Sequence, residues 1–131
     1  MIPSLRRGGY SLKEQAIVGV KVNGSKHRVD VLVGDEPGQI LVSLKWQQTS
    51  GTAEQKVPFE VINLIHACQE YGYKKAYLVL GGVDNNSSND GGWTLRQWYL
   101  DRGLAEYIEY EQYVELIKPE EFVALANAGR L

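Results

Sequence analysis

Residues 39–61 read QILVSLKWQQTSGTAEQKVPFEV. The first part, Ile40 to Gln48, has the period-two pattern of a strand, with Ile40, Val42, Leu44 and Trp46 on one face and Leu41, Ser43, Lys45 and Gln47 on the other. The first face is apolar and predicts core. The second places a hydroxyl, an ammonium and an amide where a strand inside a domain ordinarily carries aliphatics. Either that face is wet or something polar meets it.

On the N-terminal side, VKVNGSKHRVDVLV (residues 20–33) has alternating apolar residues on both sides of Asn23-Gly24. That dipeptide favours a tight type I′ turn, so a hairpin is expected, with strands near Ile17 to Val22 and His27 to Val33. Val29, Val31 and Val33 are expected on one face, with Arg28, Asp30 and Leu32 on the other. The turn formers GDEPGQ (residues 34–39) reverse the chain into the strand from Ile40, giving a three-stranded antiparallel meander. If the apolar faces coincide, Asp30 and Lys45 share the opposite face and converge. A surface cross-strand pair has the same pattern, so both readings stand on these strands alone. Further upstream, Ser11 followed by Glu14 reads as a capping box for a short helical turn.

On the C-terminal side, Val57, Val61, Leu64, Ile65 and Cys68 recur at helical spacing. They predict a helix over Val57 to Tyr71, with Pro58 in its first turn and Gly72 as its stop. Glu60 falls roughly 60 to 80° from the centre of the apolar stripe, at its edge, where it can look toward the sheet. As an acid near the helix start it can equally serve as a cap partner. KKAYLVLGG (residues 74–82) is a nearly continuous apolar run, expected as a strand buried on both faces and parallel to an earlier one. After the polar loop VDNNSSNDGG (residues 83–92) come a helix near Trp93 to Arg102, a strand near Tyr113 to Ile117 and a last helix from Pro119 to Ala128. One α+β domain over residues 1–131 is expected, with a βββαβ core near residues 11–82 and a helix-strand-helix extension near residues 93–131.

The chain has 131 residues and is 44% hydrophobic and 23% charged. No apolar run approaches the roughly 18 residues of a membrane span, so no membrane partner is expected. The opening MIPSLRRGGYS has no apolar stretch after its arginines, which predicts no signal peptide and a cytoplasmic protein. One cysteine, Cys68, leaves no intramolecular disulfide and no CxxC site. The formal net charge is −2, without the strong basicity that advertises a nucleic-acid binder.

HRVDVLV followed by ILVSLKWQQ resembles the core of the PD-(D/E)xK nuclease superfamily, the restriction-endonuclease-like fold, over roughly residues 17–82. In that family an acid lies on one strand and a (D/E)xK triplet on the next. Asp30 matches the first acid and Lys45 the lysine. Val29 stands where the family's proline would, and Ser43 replaces the second acid. Some restriction enzymes are similar in having a serine there, with the acid moved to the following helix, and Glu60 fits that position. The resemblance implies a DNA endonuclease of homing or restriction type that uses Mg²⁺ or Mn²⁺. The implied metal ligands are Asp30, Glu60 and the backbone carbonyl of Leu44, with Lys45 as the catalytic ammonium and Gln47 as a candidate for holding water or phosphate. A hard divalent cation takes such oxygen ligands, and hydrolysis of a phosphodiester needs the charge stabilisation that a lysine supplies.

Lesser candidates are His27, Thr49, Ser50 and Thr52 for contacts to DNA, the last three on a loop that can also be a plain connector. Glu14 and Ser43 are possible accessory residues, Glu14 as an acid on an N-terminal helix. A Holliday-junction or repair nuclease is the in-class alternative, and a non-catalytic nuclease-like binding module is the other. Cutting both strands of a duplex calls for two sites, so a homodimer or homotetramer is expected, using the aromatic C-terminal segments. Trp46 is expected in the core.

Overall fold

The computed structural model describes residues 1–47, 53–85 and 91–131. Five strands form one mixed sheet in the order β1-β2-β3-β4-β5, with β1 at Leu12–Val20, β2 at Lys26–Val33, β3 at Ile40–Gln47, β4 at Lys75–Gly82 and β5 at Val114–Ile117. β1, β2 and β3 pair antiparallel, whereas β3, β4 and β5 run parallel. Helix α2 (Ala53–Tyr71) crosses over between β3 and β4, as a parallel pair requires. Helices α1 (Ile2–Arg7) and α4 (Pro119–Asn127) lie on the other face, and α3 (Arg96–Leu100) precedes β5. The expected restriction-endonuclease-like α+β architecture, with its βββαβ core and helix-strand-helix extension, is present.

Two apolar layers sandwich the sheet. Under α2, Val57, Val61, Leu64 and Ala67 pack on Val29, Leu41, Leu78 and Leu80. On the opposite face Leu5 of α1 and Phe122 and Ala126 of α4 pack on Val31, Val33, Val42, Tyr77 and Val79. β4 is buried from Ala76 to Leu80, which explains its unbroken apolar sequence. Burial pushes the Cys68 thiol up to about 11, so it is a packing group and not a nucleophile. No described helix is long and apolar enough to cross a membrane.

Local signals misplace several features. The Ser11–Glu14 pair caps no helix: Leu12 and Glu14 lie in β1 and pair with Val33 and Val31. Ladder bonds to β2 outweigh the local capping preference. The hairpin turn is not type I′, because Gly24 has φ +87° while Asn23 keeps a negative φ. Lys21 N–H donates to Ser25 O at 2.7 Å and Gly24 N–H to Lys21 O at 2.9 Å, a three-residue loop with glycine in the left-handed position. Trp46 is 53% exposed and is not core. Burial along its face of β3 fades from Val42 through Leu44, so the strand outruns the helix layer, and the indole lies over Gly81, where an added Cβ would come within 2.5 Å of the ring.

Pro58 is not in the first turn. α2 already includes Ala53, so Pro58 is interior and Glu60 lies too far along the helix to be a cap partner. An interior proline leaves the carbonyl four residues earlier, that of Glu54, without its helical donor. The Tyr99 hydroxyl donates to that oxygen at 2.6 Å. The Glu54 carboxylate in turn accepts the Thr94 N–H at 2.8 Å and the Thr94 hydroxyl, tying α2 to the C-terminal extension.

Candidate active site

β2 and β3 pair from Val31–Val42 to Val33–Ile40 and then part. β2 continues along β1 to Lys26, while β3 continues along β4 to Gln47. The divergence coincides with a break in alternation at Asp30. Val29 packs under α2 whereas Val31 and Val33 pack on the far face, which corrects the expectation that the three valines share one side. Opposite Asp30, Gln15 of β1 has φ +50°, so both strands are kinked at this level.

The gap between the strands is bridged by carboxylates. Asp30 Oδ2 accepts the Leu44 N–H at 2.7 Å, in place of a ladder bond. From α2, Glu60 reaches both strands: Oε1 accepts His27 Nε2–H of β2 at 3.0 Å and Ser43 Oγ–H of β3 at 3.2 Å, while Oε2 lies 3.9 Å from Lys45 Nζ. Ser43 and Lys45 therefore face α2, and their polarity matches the acid they meet. Glu60 is 8% exposed. Burial disfavours its charge, but the His27 hydrogen bond, the charges of Lys45 and His27 and the Ser43 hydrogen bond outweigh it and hold the carboxyl below its ordinary value. Glu60 is thus an anion at neutral pH. The side chain of Lys45 is 27% exposed, so its ammonium has access to solvent.

Other candidates fare differently. His27 was expected to contact DNA, but at 1% exposure its ring is sealed beneath α2 and turned to Glu60. Its signal was available in the alternation that places it on the same side as Val29. Gln47 is also buried, and its Oε1 accepts the Ala53 N–H at 3.1 Å at the start of α2. Glu14 is exposed on the edge strand β1 and takes no part in these bonds. Thr49, Ser50 and Thr52 lie outside the described residues. Sequence patterning missed Asn63, one turn beyond Glu60, whose Oδ1 accepts the Val22 N–H at 2.9 Å and pins the hairpin tip to α2. The sequence gives no sign of it, since helical spacing puts Asn63 outside the apolar stripe and its burial is seen only in the structure.

Two carboxylates and a strand backbone offer only oxygen donors, the set that Mg²⁺ or Mn²⁺ prefers and that zinc or copper does not require. Among the described residues no group of three or more His, Cys, Asp or Glu side chains is gathered to hold a metal alone.

The family model of the PD-(D/E)XK nuclease superfamily domain matches residues 4–129. No curated protein matches. Among solved structures, a protein of unknown function, AF1548, superposes with a TM-score of 0.47 at 11% identity over 88% of this chain and 53% of that one. The small subunit (R.BspD6I2) of the heterodimeric restriction endonuclease R.BspD6I does so with a TM-score of 0.45 at 20% identity over 92% of this chain and 60% of that one. The chain thus spans 53% and 60% of the length of these structures.

Proposed function

The chain belongs to the PD-(D/E)XK nuclease superfamily, and we propose that it is a Mg²⁺-dependent DNA endonuclease of the homing or restriction type. The observation that carries this reading is Glu60, a buried carboxylate held ionised beside Ser43 and Lys45 at the point where β2 and β3 part. With serine in the usual position of the second acid, the carboxylate arrives from α2 and supplies the missing charge.

In this reading Asp30, Glu60 and the Leu44 carbonyl would hold the cation, which would supply polarisation of the scissile phosphate and a more acidic attacking water. Asp30 is fixed against β3 by the Leu44 N–H, so its carboxylate costs little to organise. The Lys45 ammonium hydrogen-bonds the attacking water or a phosphate oxygen and stabilises the negative charge that grows there. Gln47 holds the start of α2, and through it Glu60, rather than touching the phosphate. The partners are DNA and a second copy of the chain, because a duplex has two strands to cut and a symmetric dimer or tetramer provides two sites.

Incubation of supercoiled plasmid with and without Mg²⁺ tests the proposal. Nicked or linear product formed only with the metal supports it. Intact plasmid under both conditions, with branched and linear duplexes equally untouched, contradicts it.

A further inference from the structure

His27 occupies a site where an aliphatic side chain would pack at lower cost. It is 1% exposed on β2, two residues from Val29 on the same side, under α2. Its Nδ1 is buried and has no hydrogen-bond partner among the described residues. Burying an imidazole with one nitrogen unsatisfied costs free energy that an apolar residue would not incur. The whole polar return comes through Nε2, 3.0 Å from Glu60 Oε1. An ionised carboxylate only accepts, so the proton of this bond lies on Nε2.

The surroundings keep that bond in register. The Asn63 side chain accepts the Val22 N–H and donates to the Phe59 carbonyl at 3.0 Å, so the hairpin that carries His27 is fastened to α2 one turn from Glu60. Ser43 donates to the same oxygen as His27. Both donors therefore converge on Oε1, while Oε2 is directed to the side where Lys45 lies.

We propose that His27 is a positioning residue: it fixes the rotation of the Glu60 carboxylate so that Oε1 is consumed inside the protein and Oε2 is presented as the outward oxygen. This rests on the metal-binding role proposed for Glu60. Partners of ligating carboxylates act in this way, and their loss commonly weakens metal binding about 10- to 100-fold.

The test is calorimetric titration of the whole protein with Mn²⁺, alongside the Mg²⁺ dependence of plasmid cleavage and thermal unfolding. His27→Leu keeps bulk and loses the donor. It should weaken Mn²⁺ binding by about 10- to 100-fold and raise the Mg²⁺ midpoint in parallel, with a smaller loss of rate at saturating Mg²⁺. His27→Gln, whose amide nitrogen reaches the Nε2 position, should recover most of the affinity. Unchanged Mn²⁺ affinity in folded His27→Leu overturns the proposal. So does a His27→Gln variant no tighter than His27→Leu, which would make packing the cause. If His27→Leu does not fold, His27→Asn replaces it, since its amide reaches only the Nδ1 position, and equal affinity of the Asn and Gln variants overturns the proposal. Wild-type protein that neither binds Mn²⁺ nor cuts fails at the nuclease reading itself, whatever the variants do.

Discussion

Asp30 Oδ2 and the backbone N–H of Leu44 are 2.7 Å apart, joining the two strands at the level where their regular pairing has ended. The bond places the acid of β2 beside the residue that precedes Lys45, and both side chains are partly open to solvent. Asp30→Asn and Lys45→Ala should therefore each lower cleavage by at least about 10²- to 10³-fold, the usual cost of deleting one charge-stabilising group. Unfolding midpoints should move little, since asparagine can still accept the Leu44 N–H and Lys45 is not core. Near wild-type cleavage by either variant would place the site elsewhere.

Glu60 also predicts a pH dependence. Its carboxyl lies below its ordinary value of 4.5 despite burial, because His27, Lys45 and Ser43 favour the anion. A group depressed on folding adds stability that is complete above its unfolded value and disappears as pH falls through the folded one. The stability gap between wild type and Glu60→Gln should thus be constant near neutrality and narrow at pH values below about 4.5. Urea unfolding at several pH values checks this, and a gap that widens in acid would contradict it.

Tyr99 and Pro58 act on one carbonyl. Tyr99→Phe should destabilise the protein by about 1–2 kcal/mol, because the buried Glu54 carbonyl loses the Tyr99 hydroxyl as its donor. Pro58→Ala restores the helical N–H, so in that background the Tyr99→Phe cost should shrink, with a coupling of about 0.5–1.5 kcal/mol. Thermal unfolding of the four proteins of the cycle measures it, and additive effects would separate the two residues.

Association is expected through the C-terminal extension. Trp93 is in the chain's own core, but Trp98 is 41% and Tyr107 80% exposed, and their rings lie 6.4 Å apart. Sedimentation at tens of micromolar should give a dimer or tetramer, and Trp98→Ser with Tyr107→Ser should shift it toward monomer. A monomeric wild type would refute the expectation.

Much of this arrangement is visible in the sequence where local period and tertiary contact agree. The alternation of β3 placed Ser43 and Lys45 together, and the apolar stripe of α2 turned Glu60 toward them. The resemblance then gave the three residues a common purpose. Legibility fails where long-range contacts override local rules. Pro58 reads as a helix start, and the donor that replaces its missing helical N–H, the Tyr99 hydroxyl, is 41 residues away in sequence. Ser11 and Glu14 read as a cap until the ladder with β2 claims them. Alternation with Val29 predicts that His27 is buried, but that it faces α2 and Glu60 depends on the break at Asp30, of which strict alternation contains no sign.

The central claim is that α2 carries the second metal carboxylate, and the Mg²⁺ dependence of plasmid nicking by Glu60→Gln tests it most directly. Relative to wild type, the midpoint should rise more than about tenfold, since losing a ligand should cost at least as much as losing a ligand's partner. Adding Ser43→Glu to Glu60→Gln should recover part of that loss by returning a carboxylate to β3. Superimposable Mg²⁺ curves for wild type and Glu60→Gln would contradict the claim.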